Sequence, residues 1–232
     1  MLIKRLLTVA VLIFGIASAI QAKNGLYELY KTPVTGNRPY FGIRASIGYA
    51  YPYHIKYARI PLSSKATGID GSVMGLFRAP IDHRWYVEPQ IEVYFNSLKT
   101  GGTLSEEVTK AGITEATLRT VGFRVPIAFG WRHNLSENMQ LSLFTGPEFD
   151  FRIKTWFHPD KPSNIFKGTT ARPLYGDYGV DLDLRSGAGL TFGRYYVGAS
   201  YSWKLCKITR SDYGAKRQRL VQLTFGYNFK PL

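Results

Sequence analysis

Residues 85–98, WYVEPQIEVYFNSL, constrain this chain more than any other stretch. Trp85, Val87, Pro89, Ile91, Val93 and Phe95 alternate with Tyr86, Glu88, Gln90, Glu92 and Tyr94. Period-two alternation gives a strand with one apolar and one polar face. In a soluble sheet the apolar face makes the core; in a membrane barrel it faces lipid, and the polar face turns inward. The pattern recurs, predicting strands over 40–51, 68–79, 84–96, 118–131, 139–153, 178–192, 195–205 and 218–229. The second is blurred by Met74 and Leu76.

The connections fall into two sets. Those at about 52–67, 97–117, 154–177 and 206–217 are long; those around PIDH, RHNLSEN and GR are short. In an up-and-down meander alternate connections lie at opposite ends, so one end collects the long loops and the other the tight turns. An even strand count with loops sorted this way is the pattern of outer-membrane barrels.

The polar face is rich in small residues: Gly42, Ser46, Gly48, Ser72, Gly122, Ser142, Gly146, Gly187, Gly189, Gly198, Ser200 and Ser202. Glycines weaken a water-facing strand, but small side chains suit an eight-stranded barrel, whose interior is only wide enough for side chains to fill. The face also carries seven acids (Asp70, Glu88, Glu92, Glu148, Asp150, Asp181, Asp183) against six bases (Arg44, Arg78, Arg124, Arg152, Arg185, Lys204). Near balance is what a polar core demands, because a buried charge without a partner costs several kcal/mol. These residues form the expected interior charge network. The opposite face is uninterrupted by charge in runs such as Val121, Phe123, Val125, Ile127, Phe129 and Trp131. Trp85, Trp131, Trp203, Tyr49, Tyr51 and Tyr195 sit near strand ends, where aromatic girdles meet the membrane interface. Eleven residues at about 3.3 Å each, tilted roughly 45°, span about 25 Å, the height of a lipid-facing band. Pro89, Pro126 and Pro147 run against a closed ladder, since proline has no N–H to donate; a bulge or a local fraying is expected at each.

Lys4 and Arg5, the apolar run Leu6–Ile16 and the small residues of ASAIQA read as a secretory signal peptide over 1–22, with cleavage after Ala22 preferred over Ala19. The apolar run is shorter than the roughly 20 residues of a helical span. No Cys stands at the cut, which argues against a lipid anchor. Residues 23–39 are then a periplasmic segment and 40–229 the barrel. The formal charge of +14 would suggest nucleic acid in a cytosolic protein; export removes that reading. One cysteine, Cys206, leaves no disulfide framework and no metal-binding spacing. The expected fold is therefore all-β, an eight-stranded antiparallel up-and-down transmembrane β-barrel in a Gram-negative outer membrane.

The runs FRAPIDHRWYVEPQIEVYF, VGFRVPIAFGWRHN and LFTGPEFDF resemble the small outer-membrane barrels of the Bacteroidota, a porin-like family that includes PorT-like proteins associated with type IX secretion. The resemblance covers residues 40–229 and includes the three prolines. It implies a barrel with no assigned activity, serving an envelope or secretion assembly. The last strand resembles the signal read by the barrel-assembly machinery at Gln222, Tyr227 and Phe229, though Thr224 stands where Gly is usual and Lys230-Pro231-Leu232 follow.

Chemistry has little to build on. His83 and His133 fall in short turns, His54 and His158 in long loops. WFHPDKPSN offers His158, Asp160 and Ser163, residue types used in acid–base or nucleophilic chemistry, but a lone His among turn formers reads as a loop. No catalytic, cofactor or metal residue is expected, although some outer-membrane barrels are proteases or lipid-A-modifying enzymes. Three loops are basic: Lys56, Arg59 and Lys65; Lys154, Lys161, Lys167 and Arg172 against Asp160; and Lys207, Arg210, Lys216 and Arg217 against Asp212. Only the loop with Glu106, Glu107 and Glu115 runs acidic. A cationic rim would attract lipopolysaccharide phosphates, while solvated loops are charged in any case. The interior favours a filled barrel with a structural or interaction role over a narrow channel for small solutes.

Overall fold

The computed structural model describes residues 38–57, 60–100, 104–110, 112–160, 172–173, 179–209, 214–217 and 219–229. The expected signal peptide, most of the 23–39 segment and Lys230–Leu232 lie outside them.

Eight long strands alternate as the sequence does: β1 (Tyr40–Ala50), β4 (Thr67–Pro80), β5 (Trp85–Lys99), β6 (Ala116–Ser136), β7 (Met139–Pro159), β9 (Gly179–Phe192), β10 (Tyr195–Lys207) and β12 (Arg219–Asn228). Short strands β2 (Tyr53–Tyr57), β3 (Ile60–Lys65), β8 (Arg172–Pro173) and β11 (Gly214–Arg217) lie in the long connections, with one helix, α1 (Glu106–Lys110). Each long strand pairs antiparallel with the next, and β1 pairs with β12, so the sheet closes on itself as an up-and-down barrel.

The barrel is inside out by the standard of a soluble protein. Ile47, Ile69, Ile91 and Phe225 are 60%, 63%, 66% and 56% exposed, while Arg78 and Arg124 on the opposite face are 1% exposed. Burying such an apolar girdle is the main favourable term available to the chain, and only a lipid surround supplies it. Because all backbone groups of a closed ladder pair between strands, a barrel can cross a bilayer without an open edge. Trp85 faces Trp131 and Tyr195 faces Tyr227 at the turn end; Tyr49 and Tyr201 lie towards the loop end.

Two hairpin features differ from the sequence reading. Strands β6 and β7 run 21 residues each, so RHNLSEN is mostly strand, and the turn narrows to Glu137–Asn138. At the other end, pairing continues from Thr117–His158 to Val121–Lys154. On β7 the outward residues beyond Ile153 include Lys154 and His158, which hid its continuation from a reading tuned to a lipid-facing stripe. The prolines produce no register shift: the shifts fall at Val121/Gly122, Asn134/Ser136 and Lys204/Cys206. Instead the ladder has gaps. Pairing stops at Pro89–Ile127 and resumes at Glu92–Arg124; on the other side of β6 it stops at Pro126–Glu148 and resumes at Phe129–Thr145. Ile127 thus lies in one band with all three prolines, where missing donors are pooled. The blurred second strand is regular, with Met74 and Leu76 buried in the lumen at 3% and 4% exposure.

At the loop end the long connections fold over the mouth. The β2–β3 hairpin from the first loop and β11 from the last form a three-stranded sheet. With α1 they cover an apolar cluster of Ile55, Leu62, Ala66, Val108 and Ile113 on the loop side. Ala50, Leu98, Ala116, Leu118, Phe157 and Leu220 contribute from the strand ends.

Candidate functional site

Among the described residues, chemistry-bearing side chains converge in the lumen. Inward positions alternate along every barrel strand, so the closed register stacks them in layers. The residues of the expected charge network are all buried there, and they gather in three groups along the axis.

Nearest the turns, Glu88 on β5 is held by two arginines. Arg44 Nη1 donates to Glu88 Oε1 at 2.7 Å and Arg78 Nε to Oε2 at 2.5 Å. Gln90 adds an amide donor at 2.7 Å. Both guanidinium groups stack on rings: Arg44 lies 3.8 Å from the Tyr196 centroid, and Arg78 lies 3.9 Å from that of Tyr86 and 5.5 Å from Tyr40. In a dry site such cation–π contacts strengthen. This group has two bases around one acid.

In the middle, Arg124 bridges Asp70 (Nη2–Oδ2, 2.6 Å) and Glu92 (Nη1–Oε1, 2.9 Å). Arg185 continues the chain, with Nη2 2.6 Å from Glu92 and Nε against Glu148. Gln222, from the last strand, donates to Glu92 at 3.0 Å and to Asp70 at 3.2 Å. The Arg124 guanidinium lies 3.7 Å from the Tyr94 centroid, and the Tyr94 hydroxyl donates to Asp150 at 2.8 Å.

Towards the loops, Asp181 Oδ2 is ion-paired with Arg152 Nη1 at 3.2 Å and with Lys204. Asp150 is held by Tyr94 and not by an ion pair. Asp183 sits opposite both Glu148 and Lys204 in register and makes no ion pair among the described residues. The base excess therefore sits at the turn end, and the middle and loop-end groups each carry one acid more than their bases.

The tyrosines were not foreseen as part of this site. Tyr40, Tyr86, Tyr94 and Tyr196 fill the lumen between the charges at 1–3% exposure. Their signal was present in the register, since Tyr86 lies opposite Gly130 and Tyr94 opposite Gly122. A side chain on Gly130 would collide with the Tyr86 ring, and one on Gly122 with Tyr94. Gly122, Gly130, Gly189 and Gly198 are the sockets of the Tyr94, Tyr86 and Tyr196 rings. The apolar cap was missed as well, since its residues sit in connections with no periodicity.

Outside the lumen, the expected pieces stay apart. His158 lies at the end of β7, opposite Thr117. Asp160 accepts from the Thr114 backbone N–H at 3.1 Å and from its hydroxyl, which hold its carboxyl below the usual range. Ser163 is outside the described residues, as are Arg59, Lys161, Lys167, Arg210 and Asp212; of Lys56, Arg172, Lys216 and Arg217 only the backbone is described. In the acidic loop Glu106 pairs with Lys110 at 2.8 Å on an exposed helical turn. Among the described residues no group of three His, Cys, Asp or Glu could hold a metal ion.

Taken together, the described lumen side chains are closely paired: Arg44, Arg78, Arg124 and Arg185 each face carboxylates, and Arg44, Arg78 and Arg124 also face rings. The cap then stops the loop-end mouth with apolar side chains.

No family model and no curated protein sequence matches the chain. Among solved structures it is similar to Ail, the attachment invasion locus protein of Yersinia pestis (18% identity, TM-score 0.34, 81% of this chain and 98% of that one). It is also similar to Neisserial surface protein A (12%, TM-score 0.45, 82% and 97%) and to the N-terminal β-barrel domain of Pseudomonas aeruginosa OprF (13%, TM-score 0.31, 84% and 99%). Likeness at this level carries no functional weight. What the chain's own geometry establishes is its architecture: it is an eight-stranded antiparallel transmembrane β-barrel.

Proposed function

We propose that this chain is an outer-membrane protein whose barrel is a filled, non-conducting support for structured surface loops. The carrying observation is the lumen, where Glu88, Asp70, Glu92, Glu148 and Asp181 are all ion-paired at 5% side-chain exposure or less. An ion crossing this interior would have to break pairs made in a poorly solvated space, where leaving a partner unmatched costs several kcal/mol. The sorting of long and short connections supports an orientation with the loops outside the cell and the turns in the periplasm.

The signal-like N-terminus supports export, and the resemblance of the β4–β7 motifs to Bacteroidota barrels supports a place in an envelope assembly, with type IX secretion as the named example. On this reading partners meet the capped loop end, and the barrel supplies position and rigidity.

The test is single-channel recording in planar bilayers, with fractionation of cells expressing the full chain. A nearly silent protein recovered in the outer membrane supports the proposal. Steady, large conductance would replace it with a narrow porin-like channel. Recovery in soluble periplasm would remove the membrane reading itself.

A further inference from the structure

The outer surface of the β5–β6–β7 wall changes character at one level. The apolar belt ends at Phe95, Val121 and Ile153, and the outward positions above it carry Lys99 on β5, Arg119 on β6, and Lys154 and Trp156 on β7. Arg119 lies directly between Ser97 and Trp156; Lys99 is opposite Thr117, and Lys154 is opposite Val121. Lys99 and Lys154 are therefore both diagonal neighbours of Arg119, at roughly 7–8 Å between side-chain origins.

The placement of Lys154 depends on a bulge. Val121 pairs with Lys154 and Gly122 with Arg152, so Ile153 is the extra residue. In a regular strand that kept Ile153, strict alternation from buried Arg152 would aim Lys154 at the lumen. A bulge of this kind re-aims a side chain. Here it puts the ammonium outside, 5.2 Å from the Trp156 centroid.

Among the described residues none of the three cations is ion-paired. Glu115 and Asp160 lie beyond them at the top of the wall, and Asp160 is turned to Thr114. Around the rest of the barrel the outward loop-end positions carry Tyr49, Ile69, Leu182 and Trp203, with Arg219 opposite Trp203. Among the described residues Arg219 is a single cation there, and the cluster of three lies on the tall wall.

We infer that Lys99, Arg119 and Lys154 form a docking site for the phosphate groups of a membrane glycolipid of the lipopolysaccharide class, on the strands and not on the loops. This rests on the outer-membrane reading above. The site is continuous with the lipid-facing belt, so acyl chains lie along Phe95, Val121 and Ile153 while the headgroup phosphate meets the cations. The Arg119 guanidinium offers a planar fork to phosphate oxygens, and the two ammonium groups flank it as point charges. Trp156 takes the boundary position that indole rings favour at a membrane interface.

The full chain, inserted in phosphatidylcholine nanodiscs, is mixed with diphosphorylated lipid A or with the same lipid after removal of its phosphates. Native mass spectrometry then counts lipid retained per barrel. Wild type should prefer the phosphorylated form. The triple variant Lys99→Gln/Arg119→Gln/Lys154→Gln should retain roughly tenfold less, given the screened attraction of three basic groups near a surface. Arg84→Gln, at the turn end, should match wild type. Heat-modifiable gel mobility checks that each variant is folded. Equal retention by the triple variant, or no preference for phosphates in wild type, would overturn the inference while leaving the barrel reading intact. Displacement of lipid A by equimolar inorganic phosphate would make this a free-anion site and overturn it too. A chain that never inserts would bring down the membrane reading first.

Discussion

Strand β6 carries two kinds of interior on one face. Arg124 points into the lumen and reaches Asp70 and Glu92; Leu118, on the same face and nearer the loops, is fully buried in the apolar cap. The lumen satisfies buried polarity by pairing, with partners drawn from β1, β4, β5, β6, β7, β9, β10 and β12. The cap is an apolar cluster assembled from the connections and the barrel-strand ends together. The lumen network ties every wall of the barrel together, so damage to it should be felt globally. The cap can loosen while the barrel stands.

The sharpest test is Arg124→Ala, which leaves two buried carboxylates short of a partner. It should cost about 3–5 kcal/mol, the range for breaking a buried pair, read as a lowered urea midpoint in liposomes. With acids in excess, it should also admit brief cation-preferring openings where wild type is silent. Leu62→Ala should cost about 2–5 kcal/mol, but locally: amide exchange should accelerate across β2, β3 and α1 with the barrel midpoint unchanged. If the two variants lower that midpoint equally, lumen and cap are one cooperative unit and the contrast fails. Val125→Arg tests the neighbour of Arg124 on the other side of the wall. A lipid-facing arginine near mid-membrane should cost about 2–4 kcal/mol; a negligible cost would mean the outward face does not meet lipid.

The smallest effect concerns the turn end. Asp82 accepts from the backbone N–H groups of Trp85 at 2.7 Å and Arg84 at 2.6 Å, and these hold its carboxyl below the usual range. A carboxyl depressed by folding stabilises its turn fully above the unfolded value of about 3.9 and loses that contribution as the pH falls through the depressed one. Acidification should therefore shift the Trp85 amide resonance within the acid range, with no change in the barrel midpoint. The shift should vanish in Asp82→Ala.

Alternation made the eight strands and the facing of the lumen charges legible in the sequence, because lipid outside and a narrow interior leave only one side for Arg44, Glu92 or Asp181. Which charge meets which was not legible: Arg185 reaches Glu92 across the lumen, 93 positions apart, a matter of shear and register. The upper reach of β7, beyond Ile153, escaped notice for a plainer reason. Above the membrane Lys154 and His158 face water or headgroups, so the lipid-facing stripe stops while hydrogen bonding continues. The prolines left a bulge and a local fraying both open, and β5, β6 and β7 show the fraying, as unfilled rungs in one band.

The seam between β1 and β12 sets the order in which such a molecule can be made. Every other junction joins strands close in sequence, whereas this one pairs Gly42 with Asn228 and Ala50 with Leu220. Contacts of such separation carry the largest loop-closure entropy and slow folding most. The hairpins can therefore assemble as a curved sheet while the first and last strands remain open edges, and the barrel becomes watertight in a single late event. Several lumen contacts bridge that junction: Arg44 over the Tyr196 ring, the Ser46–Thr224 hydroxyl pair, and Gln222 to Asp70. Nascent chains caught before closure would expose two short unpaired strands, the grip that an assembly factor holding barrel edges requires.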